Sequence, residues 1–114
     1  GHAVTHAPVN DRVFDIGAAY DPESEWFGVA AGMMHDEGFD RSPTPHVFFY
    51  GLARDGRSVE IIVAGPLSIM ADPIDAPVRP AIMTTGDPRA TFLIAWERAE
   101  GDLGFIDGAR VRCP

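Results

Sequence analysis

The stretch DPESEWFGVAAGMMH, residues 21–35, decides the fold class of this chain, because its pattern fits both a helix and a strand. Asp21 can accept a hydrogen bond as a helix N-cap, and Pro22 is favoured in a first helical turn. Glu23 adds a negative charge at the positive end of the helix dipole. Together these residues predict a helix from Pro22 to about His35 that ends near Gly38.

The apolar residues of this stretch also have helical spacing. A single broad helical face would carry Trp26, Phe27, Ala30, Met33 and Met34. Gly28 and Gly32 weaken the prediction, because glycine in a helix interior costs stability relative to alanine. The helix is therefore the favoured interpretation, and a strand over residues 26–33 is the alternative.

Outward from this stretch, the chain is rich in strand patterns. A short strand is predicted over residues 12–18, where apolar and polar residues alternate at Asp15 and Ile16. Residues 46–53 and 58–64 are apolar or β-branched, and the Asp55-Gly56 pair lies between them. This arrangement predicts a β-hairpin.

The second half of the chain begins with a segment that regular structure tolerates poorly. The segment from Gly65 to Pro80 contains four prolines, the last of them Pro80, so we expect an irregular crossing segment with at most one helical turn near residues 67–70. A short strand is predicted over residues 81–85. Residues 90–97 fit a helix or a strand, and the strand is favoured because the sequences LGFID and ARVRC supply antiparallel partners for it.

These elements predict an α+β fold with an antiparallel sheet of about five or six strands and one main helix packed on one face. The chain of 114 residues is 46% hydrophobic and 23% charged, which is typical of one globular domain. We expect this domain over residues 11–114, after a flexible lead-in over residues 1–10. Gly1-His2 is typical of a cloning remnant, so an upstream targeting segment is compatible with the sequence, and the cytoplasm is slightly favoured as the compartment.

Charge and composition exclude several classes of protein. The net charge is −8, all nine basic residues are Arg, and Lys is absent, which removes Schiff-base and P-loop lysine chemistry. An acidic chain with scattered Arg residues disfavours nucleic-acid binding, and no apolar run is long enough for membrane insertion. The single cysteine, Cys113, excludes an intramolecular disulfide.

Residues 34–46, MHDEGFDRSPTPH, hold the densest set of side chains able to do chemistry. Metal ligands are predicted at His35, Glu37 and His46, which a divalent cation would require in close proximity. General acid/base candidates are His46, with Asp36 or Asp40 to orient it. The spacing matches no established ligand motif, so an ordinary polar segment with a solvent-exposed His46 is the competing interpretation.

Two functions follow as hypotheses. The favoured one is a non-catalytic interaction or ligand-binding module, which binds a basic protein partner or assembles with itself through its sheet. Its ligand-lining residues would be Trp26, Met33 and Met34. The alternative is a small pocket enzyme, acid/base or metal-dependent, that uses His35, Asp36, Glu37, Asp40 and His46. No organic cofactor is indicated by the sequence.

Overall fold

The structure, a computed structural model, describes residues 12–35, 44–65, 67, 79–100 and 103–114. Within these ranges the chain forms seven β-strands and no helix. The fold is therefore all-β, and the predicted α+β class is wrong. A second sheet, rather than a helix, packs against the first.

The strands form two antiparallel sheets in sequential order. The four-stranded sheet has the order β1-β2-β3-β4, and the three-stranded sheet has the order β5-β6-β7. The strand bounds are β1 Arg12–Asp21, β2 Trp26–His35, β3 Thr44–Ala53, β4 Ser58–Ala64, β5 Ala81–Thr84, β6 Phe92–Glu100 and β7 Leu103–Val111.

The main core lies between the two sheets. The four-stranded sheet contributes buried residues from β2 and β3, and the three-stranded sheet contributes buried residues from β6 and β7: Trp26, Ala30, Val47, Phe49, Ala53, Phe92, Ile94, Trp96 and Val111. We call the face of each sheet that contributes to this core its inner face, and the opposite face its outer face. Burial of these large side chains from water is the main driving force for joining the sheets.

The predicted helix over residues 22–35 is wrong because β2 is apolar on both of its faces. Trp26 and Ala30 point into the main core, whereas Val29, Ala31 and Met33 belong to a second buried cluster on the outer face. A strand that is buried on both sides has a nearly continuous apolar sequence instead of an alternating one. In such a sequence apolar residues also recur at the three- and four-residue intervals of a helix, so their spacing does not distinguish a helix from a strand.

The apparent helix start at Asp21 is a single turn between β1 and β2. The Glu25 N–H donates to the Asp21 carbonyl at 2.9 Å, which is the bond of one helical turn that does not continue. The Ser24 hydroxyl donates to the Asp21 carboxylate at 2.6 Å. Glu25 then has a positive φ of 58°, which reverses the chain into β2. The capping interactions predicted at Asp21 are present, but the chain does not continue as a helix beyond this one turn.

Most of the other predicted elements are confirmed. The first strand, the β3–β4 hairpin, the strand at residues 81–84 and the choice of strand for β6 all agree with the structure. The prediction of five or six strands in one sheet is replaced by seven strands in two. Of the predicted helical turn at residues 67–70 only Leu67 is described, and its N–H donates to the Pro45 carbonyl at 2.9 Å.

The lead-in over residues 1–10 lies outside the described residues. In the part of the chain that is described, no helix has the length and apolar character required to cross a membrane.

Candidate functional site

The outer face of the four-stranded sheet is apolar over three consecutive rows of the strand register. Ten of its twelve positions are apolar, and the two polar ones, Ser58 and Glu60, both lie on the edge strand β4. The rows are Tyr20–Phe27–Leu52–Ser58, Ala18–Val29–Tyr50–Glu60 and Ile16–Ala31–Phe48–Ile62. An antiparallel sheet whose second face meets only water normally shows polar residues there. This face therefore has the composition of a surface that is covered.

The middle of the outer face is already buried. Val29, Ala31, Met33 and Tyr50 form a compact cluster against which Phe48 packs. The Tyr50 hydroxyl donates to the Met33 sulfur at 3.6 Å, and the rings of Phe48 and Tyr50 stack with centroids 6.3 Å apart. The aromatic side chains of β3 thus pack against the small residues of β2.

His46 lies in the same face, next to this cluster. Its side chain is only 2% exposed, so the interpretation of His46 as a solvent-exposed residue is wrong. The ring is tilted against Phe48 with centroids 5.9 Å apart, and it packs directly on the backbone of Gly65. Gly65 has a φ of 142°, which favours glycine, and any β-carbon there would overlap the ring.

The other predicted site residues are only partly described. The backbone of His35 lies opposite Thr44 at the end of β2, so His35 and His46 occupy diagonal positions of the β2–β3 ladder. Met34 is described for its backbone alone, and the three acids Asp36, Glu37 and Asp40 lie outside the described residues. Among the described residues no group of three His, Cys, Asp or Glu side chains is placed to hold a metal ion.

The predicted ligand-lining residues do not share one surface. Trp26 is 2% exposed in the main core, where the Arg57 guanidinium lies 5.4 Å from its ring centroid. Met33 is 1% exposed in the outer cluster on the other side of the sheet. The common face that helical spacing predicted for these two side chains is therefore not formed.

Large apolar side chains are exposed at one corner of the outer face. Ile16 is 57% exposed, Tyr20 is 50% exposed, and Phe27, the register partner of Tyr20, is 37% exposed. If each fully exposed residue presents roughly 200 Å², these three leave about 300 Å² in contact with water. This area lies at the lower end of the range for the largest apolar patch on a typical monomeric protein.

The strand β1, which carries Ile16 and Tyr20 of this corner, packs against β5 of the three-stranded sheet. A β-carbon on Gly17 would lie 3.3 Å from the Pro80 carbonyl oxygen and 3.5 Å from a methyl group of Ile82. Ile16 alternates with Gly17 and points away from β5, and Met83 alternates with Ile82 and points away from β1, so the two side chains lie on the outer faces of different sheets. Met83 is 49% exposed.

A hollow of about 480 Å³ lies further along the three-stranded sheet. Its lining comes from all three strands and the residues before β5: Arg79, Ala81, Ala95, Trp96, Glu97, Gly104, Phe105 and Ile106. We call this space the β5–β7 hollow. Ile106 borders it and is 81% exposed, the largest value among the exposed large hydrophobic residues of the described chain. Trp96 belongs to the main core, so its ring lies on the inner side of the sheet.

A second, more polar hollow of about 310 Å³ lies between the β1–β2 turn and the loop before β6. Two of its three acids are engaged in local turns: Asp21 accepts from Ser24, and Asp87 accepts from Arg89 at 3.0 Å. Hydrogen bonds from the Arg89 side chain and backbone lower the pKa of Asp87, whereas burial raises the pKa of the Cys113 thiol. A protonated thiol is a poor nucleophile, so this hollow has no activated group among its described residues.

The apolar outer face of the four-stranded sheet was not singled out from the sequence. Its signal was present in the runs WFGVAAGMM and VFFYGLA, because a strand that is apolar at every position has no face left for water. When the first run is interpreted as a helix, it has only one buried face, so the second apolar face of this strand was not predicted.

No known family matches the chain, and neither a curated protein nor a solved structure is significantly similar to it. The fold and the exposed surfaces define a two-sheet antiparallel β domain with an apolar outer surface.

Proposed function

We propose that this domain is a non-catalytic interaction module that works by assembling with copies of itself. The observation that carries the proposal is the exposure of large apolar side chains on the outer faces of both sheets, at Ile16, Tyr20 and Phe27 on one and at Met83 and Ile106 on the other. The largest exposed apolar patch of a protein is often an interaction surface.

The charge of the chain agrees with an apolar mode of association. Seventeen acids oppose nine Arg residues, so two copies repel each other at long range. The outer face of the four-stranded sheet carries a single charge, at Glu60, within its three apolar rows. Association through such a surface places few like charges in contact, and it strengthens as salt screens the remaining repulsion.

Light scattering coupled to size exclusion, over a range of protein concentrations at low and high salt, tests the proposal. We expect a mass above that of one chain, increasing with concentration and with salt. Binding to a basic partner would show the opposite salt dependence, because salt weakens attraction between unlike charges. A mass of one chain under every condition would contradict self-assembly.

A second candidate function rests on His46, which is the buried polar residue of the described core. A small pocket enzyme would use this imidazole with His35, Asp36, Glu37 and Asp40, which precede it in the sequence, or would bind a divalent metal with them. Thermal unfolding of metal-stripped protein with Zn²⁺, Mn²⁺ and Fe²⁺ tests it, since a ligand bound by the folded state raises the melting temperature. An increase with one metal that His35→Ala abolishes would support a metal site, and no increase with any metal would remove it.

A further inference from the structure

We infer that two copies associate through the β5–β7 hollow, with Ile106 of each copy seated in the hollow of the other and Arg79 of each copy paired with Glu97 of the other. This inference rests on the proposed self-assembly and specifies its surface.

Shape supports a second copy as the occupant. Ile106 projects into water at 81% exposure and borders a hollow of about 480 Å³ on the same sheet face. A two-fold interface uses the same patch on both subunits, so a projection beside a hollow is complementary to its own rotated copy. The lining of the hollow includes three small residues, Ala81, Ala95 and Gly104. Its walls are therefore low and apolar, which suits an aliphatic side chain.

Charge supports the same occupant. Arg79 and Glu97 both line the hollow, so the patch carries one charge of each sign although the whole chain has a net charge of −8. Neither side chain has an ion-pair partner among the described residues. In a two-fold interface a contact from Arg79 to Glu97 occurs twice, which adds two unlike-charge pairs without adding net charge.

The hollow is less suited to a small polar ligand. It lies on the outer face of the sheet, and the buried Trp96 beside it directs its ring into the main core. Small-molecule sites are commonly enclosed and hold a few convergent polar groups, whereas this hollow offers one exposed cation and one carboxylate.

The apolar surface beside the hollow enlarges the contact. Ala81 lines the hollow and lies in β5 two residues before Met83, on the same outer side of the sheet. An interface centred on Ile106 therefore extends along β5 to Met83. This extension brings the buried surface closer to the roughly 800 Å² per partner of a standard stable interface.

The test measures the dimer dissociation constant of the full chain by analytical ultracentrifugation. Ile106→Asp should raise this constant at least about 30-fold, because it places a charge at the centre of the interface. Ile61→Asp is the matched control, since Ile61 is 40% exposed on the edge strand β4 of the other sheet and lies outside its three apolar rows, and it should leave the constant within about threefold. Circular dichroism and the melting temperature check that both variants fold.

Charge exchange distinguishes a specific pair from a general apolar contact. Arg79→Glu and Glu97→Arg should each weaken the dimer, and the two changes together should restore it, because the exchanged pair again joins opposite charges. Restored dimerisation would support the inference, because a loss of folding stability in the single variants would not be reversed by the second charge change.

The outcomes separate the inference from the proposed function. A dimer that survives Ile106→Asp would overturn the inference and leave self-assembly intact. A wild-type chain that is monomeric at every concentration would overturn both. If that monomer bound the apolar dye anilinonaphthalene sulfonate, and Ile106→Asp abolished the binding, the hollow would instead be a small-ligand site.

Discussion

The rings of Phe49 in β3 and Phe92 in β6 lie 5.6 Å apart, tilted by 44°, and form a direct link between the two sheets. Both side chains are fully buried. Gly28 of β2 lies beneath them, because a β-carbon at Gly28 would be 2.9 Å from the Phe49 ring and 3.0 Å from the Phe92 ring. The distance between the sheets at this point is therefore set by a residue without a side chain.

Gly28→Ala should destabilise the domain by roughly 1–3 kcal/mol, because two close-packed rings must shift to admit one methyl group. Urea unfolding measures the change. Gly108→Ala is the matched control, since its β-carbon would have ordinary contacts, 3.5 Å from the Ile94 carbonyl oxygen and 3.9 Å from Leu93. It should change the free energy of unfolding by no more than about 0.5 kcal/mol. Equal effects of the two substitutions would show that contact with the rings is not the cause.

How far the fold was predictable depends on the strand concerned. The β3–β4 hairpin was predictable because the Asp55-Gly56 turn and the β-branched residues of β4 are local signals. The class was not, because β2 is buried on both faces and its sequence lacks the period of 2 that identifies a strand. Burial of both faces of β2 results from contacts with residues far along the chain, and the spacing of apolar residues within β2 does not show those contacts.

The turn before β2 allows a test of the backbone conformation at Glu25. This residue has a φ of 58°, and its carboxylate accepts from Arg54 at 3.1 Å on the exposed surface. Glu25→Gly and Glu25→Ala both remove that ion pair, but only glycine adopts the positive φ without strain. The glycine variant should therefore be more stable than the alanine variant by about 0.5–1 kcal/mol in thermal or urea unfolding.

Arg54→Ala provides the reference for the ion pair alone. Both partners are largely exposed, at 78% and 51%, so its loss should cost less than about 1 kcal/mol. If the glycine and alanine variants at Glu25 were equally stable, the backbone conformation at this turn would not contribute to stability.

The candidate site was predictable only as a region. The density of polar residues indicated residues 34–46, and within them His46 is the polar side chain that the structure describes as buried. Its burial was not predictable, because it depends on Gly65, which packs against the ring from beyond the next strand. The exposed Ile106 was missed for a related reason, since one apolar residue in a strand of alternating pattern is ordinarily assigned to a core face.

Contact between His46 and Gly65 should appear as a strong energetic coupling. Gly65→Ala should cost at least about 1 kcal/mol, because the new β-carbon overlaps the imidazole ring and the backbone has a φ that favours glycine. In a His46→Ala background the overlap is removed, so the cost of Gly65→Ala should fall to the backbone contribution alone. A double-mutant cycle from urea unfolding measures the difference. Additive effects would mean that the ring and Gly65 are not in contact in solution.

Cys113 provides a prediction on pH. Burial raises the pKa of its thiol above the ordinary value of 9.0, and the negative charge of Asp21 adds to the increase, while a hydrogen bond with Thr91 opposes both. The protonated thiol therefore contributes stability below the pKa of the unfolded chain, and this contribution is lost as the pH rises through the higher pKa of the folded state. Because the thiolate is the reactive form, alkylation of the folded protein by iodoacetamide should reach half its limiting rate at a higher pH than alkylation in denaturant. Asp21→Asn should move the folded midpoint part of the way down, and an unchanged midpoint between folded and denatured protein would show that the thiol is not shielded by the fold.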